Sequence, residues 1–127
     1  MRHRSWLFLL VLLTAVGCAA SRPPLRYPAP EVEVGFASFY AGRFQGLKTA
    51  SGERYEEKSL TAAHRTLPFG TRVQITNLGN GRSVVVTIND RGPFARGRVI
   101  DVSRRAAREL DFVRDGTARV RVQVLEN

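Results

Sequence analysis

The chain has 127 residues, a formal charge of +9 carried almost wholly by arginine, and a single cysteine, Cys18. One cysteine excludes an intramolecular disulfide and a cysteine-based zinc site, and the length excludes two well-packed domains. Such a basic balance often marks nucleic-acid binding, so the first question is which compartment the chain works in.

Met1 to Arg4 is a short basic stretch, and the apolar run Trp6 to Leu13 follows it. The run falls short of the roughly 20 residues that span a bilayer. It ends in the small residues Thr14-Ala15-Val16-Gly17 before Cys18, the layout of a cleavable export signal over residues 1–17. Small residues immediately before a cysteine resemble the bacterial lipobox, with Ala15 where leucine is more usual. That resemblance implies acylation of Cys18; the alternative is plain secretion with Cys18 discarded or left as a thiol. With no aspartate at Ala19 or Ala20, the sorting scheme it implies favours the periplasmic face of the outer membrane. An exported protein does not meet nucleic acid. Removing residues 1–17 from the 127 leaves 110, and losing Arg2 and Arg4 lowers +9 to +7. From charge alone, a solvated basic surface explains this as well as a specific anionic partner does.

Residues 18–34, with prolines at 23, 24, 28 and 30, read as an extended tether between the lipid and a domain starting at Gly35. Val34 to Tyr40 and Leu60 to His64 are strand candidates. Thr71 to Thr76 alternates Val73 and Ile75 with polar residues, and Asn77-Leu78-Gly79-Asn80-Gly81 joins it to the β-branched run Ser83 to Ile88 as a hairpin. Val99 to Val102 is a further strand. Ser103 is the N-cap of one helix, which includes Ala106, Ala107 and Leu110 and ends before Gly116, and Thr117 to Leu125 alternates valines with arginines. About six strands and one helix in a unit this small predict a mainly β, closed barrel.

Two stretches concentrate chemistry: Lys48 to Glu56 with Leu60 to His64, and Asn89-Asp90-Arg91-Gly92-Pro93-Phe94. Asp90 falls where a strand gives way to a Gly-Pro corner, which places a carboxylate at a barrel rim and also suits an aspartate that merely caps a turn. Singly, Glu53 reads as a solvated loop residue and His64 as a structural histidine beneath a loop.

Together, Gly35 to Tyr40, Thr49-Ala50-Ser51-Gly52-Glu53, Leu60 to His64, Leu67-Pro68-Phe69-Gly70, Val73 to Asn77, Asn89 to Phe94 and Ile100-Asp101-Val102-Ser103 resemble the rare lipoprotein A family. The resemblance implies a six-stranded double-psi β-barrel over residues 35–127 and a lyase activity. Active members are peptidoglycan lytic transglycosylases that cleave the MurNAc–GlcNAc bond without water and leave 1,6-anhydroMurNAc ends. Residue by residue it places the catalytic set on Asp90, Glu53 and His64, with Ser51, Glu56 and Arg91 in support. One carboxyl can serve such a reaction, because the sugar's own 6-hydroxyl replaces the water that hydrolases position with a second one; to start as an acid, Asp90 needs partial burial or a neighbouring carboxylate such as Glu53. The chain departs from the family pattern at Glu56, where Asp is usual, and at Phe39, where Trp is common, which leaves sugar stacking to Tyr40, Phe44, Tyr55 or Phe94. With the sequence ending just after the barrel, septal targeting through the C-terminal glycan-binding domain of many relatives is not expected. Partners so implied are peptidoglycan strands and, through Cys18, a lipid bilayer, with no cofactor or metal and a monomeric state. Two other functions stay open: an expansin-like module that binds glycan without cutting it, and a structural lipoprotein that recruits wall enzymes through its basic face.

Overall fold

A computed structural model describes residues 31–126. The expected export signal, Cys18 and the proline-rich stretch up to Pro30 lie outside them. Six strands, β1 (Val32–Phe39), β2 (Thr61–Ala63), β3 (Arg72–Asn77), β4 (Ser83–Asp90), β5 (Arg98–Val102) and β6 (Ala118–Glu126), one α-helix, α1 (Arg104–Glu109), and a single 3-10 turn at Gly42–Phe44 make up the regular structure of the described residues. They close into a barrel in the order β1-β5-β2-β4-β3-β6, with β6 paired back onto β1. Two of the pairings, β1 with β5 and β2 with β4, are parallel. The mainly β barrel with one helix is the architecture the strand count predicts.

Alternation explains the wall. Val73, Ile75, Val86, Ile88, Val120 and Val122 point inward and are at most 2% exposed, while the residues between them face outward. Phe112, Leu110, Ala106 and Ala107 join this same core, Phe112 meeting Phe39 edge-on at 5.8 Å. Ser103 caps α1 by accepting from the Ala106 amide. The helix is shorter than the sequence suggests: Leu110 is its C-cap and Asp111 turns left-handed at φ 57°, a conformation aspartate tolerates and a helix does not. The β3–β4 hairpin turns at Gly81, φ 77°, and Asn77 and Asn80 fasten it to the Leu110 carbonyl at 2.9 and 3.0 Å.

One boundary moves. β1 begins at Val32, so Val32, Glu33 and Val34 belong to the barrel and not to a tether reaching residue 34. The last proline of that stretch is Pro30, which leaves the amides from Glu31 through β1 free to pair. Val32 is in register with Gln123, and the Val124 amide donates to the Glu31 carbonyl at 2.9 Å.

Candidate active site

Strand register assembles the site. Ser38 on β1 is paired with Asp101 on β5, Asp101 with Ala63 on β2, and Ala63 with Asp90 on β4. Ser38, Asp101, Ala63 and Asp90 therefore form one row across four adjacent strands. Ala37, Ile100 and Ala62, their chain neighbours, are in the core, so by alternation the row lies on the outer wall. It floors a cleft of about 510 Å³. Residues 41–49 and Tyr40 build one bank, with Phe44, Leu47 and Lys48 reaching in, and Arg91 and Arg98 complete the lining.

Asp90 is the last residue of β4 and is held from three directions. Oδ1 accepts the amides of Ala50 at 2.8 Å and Arg91 at 2.9 Å, and Oδ2 accepts the Tyr40 hydroxyl. Burial, and next the bond to Asp90, push the Tyr40 phenol far above its ordinary range, so Tyr40 stays protonated as the donor. Its ring is stacked on Tyr55 at 4.4 Å and meets Phe44 edge-on at 5.9 Å. The loop that supplies the Ala50 amide is braced internally: Thr49 donates its amide to the Glu53 carbonyl at 2.8 Å, Ser51 shares a hydroxyl contact with Thr49 at 2.9 Å, and the Ser51 amide reaches the Asn89 carbonyl at 3.2 Å. Three of Asp90's four lone-pair sites are thus satisfied by protein, and the one left belongs to Oδ2.

Asp101 is the second carboxylate of the cleft, two interstrand steps and so about 10 Å from Asp90 between Cα atoms. Its Oδ1 accepts the Ser38 hydroxyl, and Arg98 Nη2 bridges Oδ1 at 3.0 Å and Oδ2 at 2.9 Å.

His64 stands behind the wall. It is 5% exposed, and Nδ1 accepts the amides of Thr66 at 3.2 Å and Leu67 at 3.1 Å. Two donors on Nδ1 put the ring proton on Nε2, which donates to Glu33 Oε2 at 2.9 Å. Its link to Asp90 is through the backbone, the His64 amide donating to the Asp90 carbonyl at 3.1 Å. Among the described residues, no group of three or more His, Cys, Asp or Glu side chains is arranged to hold a metal.

Residues 32–122 match the family described as "Lytic transglycolase". The chain belongs to the rare lipoprotein A family of double-psi β-barrels. It is 63% identical over 94 residues to the Nostoc protein named probable endolytic peptidoglycan transglycosylase RlpA, covering 72% of this chain and 25% of that one. It is 51% identical over 100 residues to the endolytic peptidoglycan transglycosylase RlpA of Neisseria meningitidis serogroup A, covering 79% and 42%. The chain thus spans less than half the length of these relatives. Among solved structures, a Streptomyces papain inhibitor superposes with a TM-score of 0.62 at 22% identity over 78% of this chain and 98% of its own. A Clavibacter michiganensis expansin superposes with 0.60 at 18% identity over 76% and 51%. These two share the fold.

Within this rare lipoprotein A barrel the residues singled out by sequence separate. Asp90, Tyr40, Phe44, Tyr55 and Arg91 line the cleft, although Arg91 turns its guanidinium to the Leu67 carbonyl at 2.8 Å and over the Phe69 ring at 4.1 Å. Ser51 braces the loop. Glu53 is exposed on that loop's rim, and Glu56 accepts from Gln45 Nε2 at 2.9 Å, bracing the bank without touching Asp90. Tyr55 is 3% exposed and its hydroxyl accepts the Arg104 amide at 3.2 Å; burial raises its phenol pKa, partly offset by that amide. A ring so enclosed backs Tyr40 and cannot itself stack on a sugar, and Tyr40 has one face taken by Tyr55. Exposed aromatic surface lies instead on Phe94, 82% exposed, and Phe44, 37%. Ser38 and Asp101 lie within motifs that carry the family resemblance but have no site role in the sequence reading, and Arg98 has none either. The signal for Asp101 is a charged residue directly after the apolar pair Val99-Ile100.

Proposed function

We propose that this chain is a peptidoglycan lytic transglycosylase whose acid and base is Asp90. The observation that carries the reading is a carboxylate fixed by Ala50, Arg91 and Tyr40 with one lone-pair site left over, in a cleft of about 510 Å³.

Protonated Asp90 gives its proton to the oxygen linking MurNAc to the next sugar, and the bond from C1 to that oxygen breaks. The 6-hydroxyl of the same MurNAc forms the new bond to C1 and returns its proton to Asp90. The product is the 1,6-anhydro end, water is not consumed, and Asp90 finishes as it began. Tyr40 donates to Oδ2 throughout, and that bond is stronger to a carboxylate than to a neutral acid. It therefore stabilises the charge that appears on Asp90 as the proton leaves. Glu53 lies exposed on the rim of the loop that supplies the Ala50 amide, outside the cleft lining, and its part in this reading rests on the family resemblance. His64 acts as a positioning residue, pinning β1 to the β2 end beside Asp90. Phe94 and Phe44 are the platforms for sugar rings.

The chain is further proposed to be exported, acylated at Cys18, held at the periplasmic face of the outer membrane and active as a monomer. The sequence of residues 1–20 supports the export, acylation and sorting.

The test is incubation of the purified protein with sacculi, followed by mass spectrometry of the released fragments. Anhydro-muropeptides from the parent and none from folded Asp90→Asn are expected. Binding without anhydro ends would replace the enzyme with an expansin-like module, and neither binding nor release would point to a structural lipoprotein.

A further inference from the structure

The far end of the row carries groups that the acid–base step leaves unused. Asp101 Oδ1 accepts both Ser38 and Arg98, while Oδ2 accepts Arg98 Nη2 alone, so one acceptor site remains on Oδ2. Arg98 engages Asp101 through Nη2 only, which leaves its Nη1 hydrogens available, and its Nε is buried with no partner. Both side chains line the cleft and remain partly exposed, at 36% for Arg98 and 20% for Asp101. An acceptor and a donor thus stand side by side on a rigid strand, two strand spacings from Asp90, with Ala63 as the floor between. A methyl at Ala63 leaves the space between the two aspartates open.

We propose that Asp101 and Arg98 form a subsite for the 2-acetamido group of an N-acetylated hexosamine. The acetamide carries one N–H and one C=O, and the pair offers the complementary carboxylate oxygen and guanidinium N–H. A hydroxyl at the same carbon, as in a glucan, must donate and accept through a single oxygen atom, so it cannot span the two groups as the separate N and O of an acetamide do, and one half of the pair is left poorly matched. Ser38 and the two-point contact to Arg98 hold the Asp101 carboxylate in a fixed orientation, as a recognition group requires. The subsite rests on the reading that the cleft holds a peptidoglycan-type glycan, and it gives that reading a chemical reason for preferring amino sugars over plain glucose polymers.

The experiment is calorimetric binding of hexa-N-acetylglucosamine and of cellohexaose, neutral β-1,4 hexamers that differ at C2. The proteins are the parent, Asp101→Asn, Arg98→Gln and the folded, non-cleaving Asp90→Asn. The parent and Asp90→Asn are expected to favour the N-acetylated hexamer by roughly tenfold or more, the size of a hydrogen bond to a charged group. In Asp101→Asn an amide N–H replaces the acceptor and opposes the ligand's own N–H, so the preference should fall to about twofold or less; Arg98→Gln should do the same by losing the guanidinium. A merely structural pair would weaken both hexamers equally and keep the ratio, which would overturn the proposal. So would equal binding of the two hexamers by the parent, an arm that needs no variant to fold. Retained preference with no anhydro product from sacculi would sink the enzyme reading and leave the subsite standing.

Discussion

Replacing His64 with alanine separates a histidine that does chemistry from one that holds a loop. In the folded protein Nδ1 is the acceptor for two amides, and Nε2 binds Glu33. Leu67 is 3% exposed, so its amide has no ready replacement by water and loses most of about 1–3 kcal/mol. Thr66 is exposed and its amide recovers much of its loss. Adding the half-exposed Glu33 contact and the space left by a buried ring gives a destabilisation of about 2–4 kcal/mol. In a urea titration followed by fluorescence or circular dichroism, the midpoint should fall by roughly 1–2 M. His64→Asn, which keeps an oxygen close to the Nδ1 position, should recover about half of that. Turnover per folded molecule, measured well below the unfolding transition, should stay within about tenfold of the parent. A His64→Ala protein with an unchanged midpoint and no activity would refute the positioning role and return His64 to the proton-transfer chemistry.

Tyr40→Phe removes the donor on Asp90 Oδ2 without emptying the stack on Tyr55, and should lower kcat on sacculi by roughly 10–100-fold with little change in KM. The same phenol gives an alkaline signature. Burial raises Tyr40 and Tyr55 in the folded state, while in the unfolded chain they ionise near the ordinary value of about 10. Stability is therefore complete below about pH 10 and declines above it, and Tyr40→Phe should flatten that decline in denaturation curves taken across this range. Phe94→Ala, at a ring 82% exposed, should shift stability by less than about 0.5 kcal/mol yet raise KM for glycan, which steady-state kinetics would detect. Phe112→Ala, at 1% exposure, should cost about 3–5 kcal/mol by calorimetry. Cys18→Ala should leave activity on isolated sacculi intact while removing the protein from the membrane fraction of cells; loss of activity in both settings would contradict the tether.

The parts of the fold that could be read in advance are those where one residue's environment is set by its neighbours in sequence. Val73 and Ile75 alternate with polar residues because one side of β3 faces the core, and Ser103 caps α1 with its own hydroxyl. The Gly-Pro corner after Asp90 marked a strand end for equally local reasons. What sequence did not disclose depends on partners far along the chain. Glu33 sat in the stretch assigned to the tether, and nothing near it hints that His64 is its partner 31 residues away. The Ala50 contribution to Asp90 comes from a backbone amide, which no side-chain type announces. Tyr55 looked like a sugar platform and is buried, because an aromatic in a small barrel does more for packing than for a ligand. Asp101 was hidden by being one letter in a short strand; only the register that sets it beside Ala63 gives it meaning.

That row of Ser38, Asp101, Ala63 and Asp90 also bears on when the protein can act during its own biogenesis. Its members come from β1, β5, β2 and β4, and no two neighbours in the row are adjacent strands in sequence. β2 and β4 set Ala63 beside Asp90 within one stretch of chain, but Ser38 and Asp101 join the row only when β5 inserts between β1 and β2, contacts that close large loops late in folding. The complete row therefore exists only once the barrel is closed, and under the proposed function any cleaving activity is a direct reporter of that closed state.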